Sequence, residues 1–148
     1  MPERHKALDY RPDNVEFVAS ADAPMAHWLL RFALSATFLF HGLGKIGNMA
    51  ATAEHFGLSQ RVLSAVTVVE LTVPALLVLG GLLTGSLGDL ATRLAGICAI
   101  AILLGAISVV HWGQWSFAPS DTHPLGGMEY QVTLIAVSLF FVFRGNSA

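Results

Sequence analysis

Four stretches of the chain are nearly free of charge: Phe32 to Gly44, Val62 to Leu83 broken only by Glu70, Leu94 to Val110, and Tyr130 to Phe143. A helix rises 1.5 Å per residue, so a hydrocarbon layer about 30 Å thick takes roughly 20 residues. The first and last stretches must therefore recruit their flanks, Pro24 to Arg31 and Gly126 to Glu129. The pattern predicts four spanning helices joined by short connections. Backbone inside lipid has to satisfy its own hydrogen bonds, which makes the fold an all-α, integral membrane four-helix bundle.

Between helices 1 and 2, "MAATAEHF" places Met49, Ala53 and Phe56 on one side at helical spacing, which suits a short interfacial helix. Asn48 is placed to cap it and Gly57 to stop it, with Ser59 then capping helix 2. Residues 1–23 form a polar tail without the apolar core of a signal peptide, and residues 24–148 form the helical domain. Neither an internal repeat nor a low-complexity run is visible.

Composition agrees. Hydrophobic residues are 54% of the 148 and charged ones 12%, with mean hydropathy +0.62, against about 25% charged for a soluble domain. Net charge of −2 and the lack of a basic patch exclude nucleic acid as a partner; the lipid bilayer is the first partner. Cys98 is the single cysteine, so neither an intrachain disulfide nor a thiolate metal cluster can form. Basic residues are more numerous on the side carrying both termini (Arg4, Lys6, Arg11, Arg93, Arg144) than on the other (Lys45, Arg61). The positive-inside rule thus predicts cytoplasmic termini. Trp28, Trp112, Trp115 and Tyr130 fall near the predicted boundaries, where amphipathic rings settle.

The segment "HGLGKIGN", His41 to Asn48, has the G-x-G-x-x-G spacing of a dinucleotide loop. That reading requires a preceding strand in a βαβ unit, and the long apolar run before it supplies none. The glycines Gly42, Gly44 and Gly47 instead predict a helix ending. Gly81 and Gly85 likewise read as turn residues at the end of helix 2.

Ionisable groups within a bilayer are costly and mark functional sites. Arg31, His41, Lys45, Glu70 and Glu129 stand out, with His111 at the end of helix 3. With Lys45 and Arg61 as the outer edge, His41 lies about 6 Å deep, Glu70 about 14 Å and Arg31 about 21 Å. A long guanidinium could bridge the rest, so an Arg31–Glu70 pair is expected; the plainer alternative is that Arg31 snorkels to the headgroups. His41 and Lys45, four apart, share a helix face, and His111 and Glu129 come to the same level, so the polar groups converge on one outer pocket. Pro74 denies the Glu70 carbonyl its helical donor and should kink helix 2.

The chain resembles the DoxX family of small four-helix membrane proteins, related to the small subunits of thiosulfate:quinone oxidoreductases. The resemblance covers Trp28 to Gly145. It rests on "LLRFALSATFLFHGLGK", "VVELTVPALLVLGGLLTG", His111 and "GGMEYQVTLIAVSLFFVFRG", and the family pattern falls on Arg31, His41, Gly42, Lys45, Glu70, Gly80 and Glu129. It implies residence in the bacterial inner membrane and association with membrane redox chemistry, often as a partner of other membrane or peripheral redox subunits.

Two readings compete. In one, the outer pocket binds a quinone, held by His41, Lys45, Glu70, His111 and Glu129, with Glu70 or Glu129 handling protons. No iron–sulfur, flavin or metal-ligand set is visible, so electrons come from a partner and the chain is at most a subunit of a membrane oxidoreductase. In the other, it is a non-catalytic structural or assembly subunit of a larger membrane complex. Haem held between His41 and His111, and transport, are lesser alternatives.

Overall fold

The computed structural model describes residues 25–146, so the tail expected at 1–23 lies outside the described residues. Five α-helices follow in order: α1 Ala26–Ile46, α2 Met49–His55, α3 Gln60–Leu82, α4 Gly85–Ala106 and α5 Glu129–Arg144. A π-helical turn, Ile107–His111, extends α4. The described residues contain no strand. Ala26–Ile46, Gln60–Leu82 and Gly85–His111 are long and apolar enough to cross a membrane. Helix α5, with 16 residues, is about 24 Å long and packs along α4, completing the bundle. The chain is an integral membrane protein in contact with the bilayer.

Helical spacing explains the burial. Arg31, Leu34, Phe38 and Gly42 form the inward stripe of α1, while Leu29, Phe32, Phe40 and Leu43 face outward into lipid. Leucine gains nothing by leaving lipid for a helix contact, so association rests on close packing between small residues. Helix α4 supplies them: its buried stripe is Gly88, Thr92, Ala95, Gly96, Ala99 and Leu103. It sits between α3 and α5, and α1 packs on the other side of α3, meeting α5 only briefly. A Cβ at Gly80 of α3 would collide with Thr92 Oγ1 and come within 3.1 Å of the Gly88 carbonyl. The core comprises Leu34, Phe38, Val73, Leu77, Ala95, Ala99, Leu103, Leu134 and Phe141.

Several local expectations are met. Ser59 caps α3 by accepting from the Val62 amide at 3.3 Å, and Gly57 turns the chain out of α2 at φ +63°. Others are corrected. Asn48 makes no side-chain cap bond to α2. Gly42 and Gly44 lie inside α1, and Gly47 follows it at φ −72°, so no left-handed glycine closes the helix. Of the pair read as turn residues, Gly85 opens α4, with the positive φ of +74° that the turn from α3 requires. Gly81 is helical and lies against Trp28 and Arg31.

Candidate functional site at the Lys45 end of the bundle

Gly42 sets the geometry of this end. Its missing side chain lets α1 lie directly on α3: a Cβ there would come 2.8 Å from Leu71 Cδ2 and 3.3 Å from Glu70 Cβ. Lys45, one turn further along α1, therefore reaches back over Glu70. Its Nζ donates to both Glu70 carboxylate oxygens at 2.7 Å and, at 3.3 Å, to the carbonyl of His41. The two side chains are only 16% and 8% exposed. All three ammonium protons are used, and the ion pair is neutral as a unit, which is what a low-dielectric location demands.

The His41 side chain is exposed on the same face of α1. Its ring meets Phe40 edge-on at 5.6 Å and makes no hydrogen bond among the described residues, leaving a donor and an acceptor free. Lys45, Glu70 and His111 are all near enough to act on its charge. His111, the last residue of the π-helical turn, has Nδ1 2.8 Å from the Gly126 carbonyl. A carbonyl only accepts, so Nδ1 carries the proton and Nε2 is left as an acceptor.

Two hydroxyls that sequence reasoning passed over belong to this face. Thr37 Oγ1 and Tyr130 Oη are 2.9 Å apart, joining α1 to α5. The signal was present: Thr37, His41 and Lys45 recur every fourth residue, but Tyr130 reads from sequence only as a boundary ring.

The expected convergence is partial. His41, Lys45, Glu70 and His111 come together. Glu129 is spent elsewhere: its Oε2 accepts from the Phe117 amide at 3.2 Å, and its own amide donates to Trp115 O at 2.9 Å. It pins the loop before α5 and is not part of the ion-pair cluster.

The expected Arg31–Glu70 pair does not form. Gly42 is level with Glu70 and Leu71, whereas Arg31 is level with Gly81, whose Cβ would lie 3.2 Å from Arg31 Nε. Eleven residues separate Glu70 from Gly81, about 16 Å along the helix, beyond the reach of the side chain. Setting Lys45 level with Arg61 misplaced the register, because α3 runs well past the end of α1. Nor does Arg31 snorkel, being 1% exposed. It donates to Leu77 O at 2.6 Å, Thr92 Oγ1 at 3.1 Å and Asn146 Oδ1 at 2.7 Å. The rings of Trp28 and Phe141 flank it at 5.7 and 5.0 Å. Asn146 in turn accepts from Thr92 at 2.7 Å and donates to the carbonyls of Gly80 and Leu83. This second polar cluster ties the ends of four helices together and answers a structural need.

The family model DoxX matches residues 26–112 of this chain, which takes in α1 to α4 and His41, Lys45, Glu70 and His111, but not Tyr130. No protein of curated function and no solved structure matches it significantly.

Proposed function

The chain belongs to the DoxX family of membrane proteins, generally linked to redox-associated functions; from that premise we propose that it is an integral subunit of a quinone-linked redox assembly. The Lys45 end of the bundle, on the outer side of the membrane, receives the quinone headgroup.

The observation that carries this reading is a free imidazole beside a buried ion pair. His41 has no internal hydrogen bond to give up, and the neighbouring Lys45–Glu70 pair is closed on itself. A ring carbonyl needs an N–H donor without a competing partner, and His41 offers one, so the residues fit the group. When bound, a quinone supplies a two-electron, two-proton acceptor. His41 would hold its carbonyl through an N–H donor; charged to the imidazolium it would give up that proton and return to the neutral ring, and the nearby Glu70 carboxylate would offset part of the positive charge. Lys45 holds the Glu70 side chain in place through both of its oxygens. Electrons come from a partner redox subunit.

Replacing His41 by Gln tests this. Quinone extracted per mole of protein purified from its own membrane should fall severalfold while the helical spectrum is unchanged; equal quinone content in both proteins would overturn the reading. The assembly-subunit reading has its own support in Glu129 and Arg31, whose polar atoms are committed to holding the loop and the helix ends.

A further inference from the structure

Between the π-helical turn and α5 the chain folds back along the bundle, and the packing of α5 on α4 shows how far. Arg93 donates to the Val142 carbonyl at 2.6 Å. Thirteen residues on from Arg93 is Ala106, and thirteen back from Val142 is Glu129, so antiparallel α5 begins level with the last residue of α4. The π-helical turn, Ile107–His111, continues beyond that point. The loop then descends again: the Glu129 amide donates to Trp115 O at 2.9 Å, and the Phe117 amide to Glu129 Oε2 at 3.2 Å. Trp115 and Phe117 therefore lie beside the first turn of α5, deeper than His111. Helix α5, about 24 Å long, falls short of a hydrocarbon layer of about 30 Å. Arg144 in its last turn holds that end at the headgroups, so the layer reaches past Glu129 to the level of the loop.

A segment at this depth has to satisfy its own polar groups. The loop does so. Gly127 N donates to Ser116 O and Met128 N to Gln114 O, at 2.8 and 2.9 Å. Glycines permit this closeness, since a Cβ on Gly126 or Gly127 would strike the backbone of Phe117, Gln114 or Ser116. Gln114 donates to the carbonyls of Ser116 and Ala118 and accepts from Ser120. His123 Nε2 donates to Trp112 O at 2.8 Å. Pro119 and Pro124 have no amide to satisfy. From Trp112 to Met128 the sequence has one charged residue, Asp121. What faces outward is aromatic: Trp112, Trp115 and Phe117 are 72%, 58% and 66% exposed.

We propose that residues 112–128 form a re-entrant cap set into the membrane leaflet at the Lys45 end, with the rings of Trp115 and Phe117 at the boundary of headgroups and acyl chains. The occupant of the aromatic face is phospholipid. The exposed Tyr130 and Val132 of α5 carry the lipid-facing surface of the bundle up to it without a break. A protein partner would need polar groups around the rim of such a patch, and the loop has turned most of its own inward. On the α5 side, the Lys45 end thus borders lipid and not bulk water.

The test is fluorescence quenching of the full chain in phosphatidylcholine nanodiscs. The chain has three tryptophans, so the emission lost in Trp115→Phe reports that ring alone. Lipids brominated high on the acyl chain should quench this component severalfold more than lipids brominated near the chain end, and aqueous iodide should leave it nearly untouched. Circular dichroism checks that the variant folds; if it does not, the emission lost in Trp112→Phe is read in the same way. Full quenching by iodide with none by brominated lipid would overturn the proposal and stand the loop in water. Shielding from both quenchers would overturn it too, since the rings would then be covered by protein.

Discussion

Breaking the Lys45–Glu70 pair should be costly in a way that depends on which partner is removed. At 2.7 Å the gross attraction is about 6 kcal/mol for an effective dielectric of 20. Most of it is offset by taking both ions out of water. With side chains 16% and 8% exposed, the pair sits near the buried limit, where losing one partner costs roughly 3–5 kcal/mol. Lys45 lies in the last turn of α1, so in Glu70→Gln its stem can turn outward to the headgroups, lowering the cost to about 2–3 kcal/mol. In Lys45→Met the stranded carboxylate takes up a proton instead, again limiting the loss to about 2–3 kcal/mol. The double variant has no buried charge left and should be no worse than either single one, giving a coupling of about 2 kcal/mol. Equilibrium unfolding in mixed micelles, run on all four proteins, measures it. Additive losses, with coupling under about 0.5 kcal/mol, would refute the claim that the two side chains act as one neutral unit.

Other consequences are nearer to packing. Gly80→Ala forces a methyl against Thr92 and the Gly88 carbonyl and should destabilise by about 1–3 kcal/mol. Gly44→Ala, where nothing lies within 4 Å, should be neutral or stabilising by up to about 1 kcal/mol. The same unfolding assay ranks the two, and equal effects would contradict the close contact of α3 with α4. Asn146→Ala removes acceptors from Arg31 and Thr92 and donors from two carbonyls. A loss of about 2 kcal/mol is expected, and a stability within about 0.5 kcal/mol of wild type would show that water replaces the amide.

How far the sequence speaks for itself differs from place to place. Helix α3 was legible because Leu63, Thr67, Glu70, Pro74 and Leu77 keep helical spacing in an uncharged background, and Ser59 announces its start. The face shared by His41 and Lys45 was legible for the same reason. Partner choice was not. Whether Glu70 meets Arg31 or Lys45 depends on the axial register of α1 against α3, which is set by the contact at Gly42, and a glycine in sequence looks the same as a helix terminator or as a contact point. Asn146 gave no signal at all, since a single polar residue after the last helix acquires its role only when α3, α4 and Arg31 surround it. Glu129, conspicuous as a charge at a predicted boundary, turned out to hold a loop because the chain doubles back through Trp115 and Phe117.

The central claim is that the Lys45 end serves quinone-linked redox chemistry within an assembly. Its most direct test is gentle purification from the native membrane with partners attached, followed by a redox difference spectrum and assay of extracted quinone. The account predicts close to one quinone per chain, reducible through a co-purifying redox protein and lost in His41→Gln. Stable partners with no quinone, and a spectrum indifferent to His41, would contradict it and identify the chain as an assembly subunit.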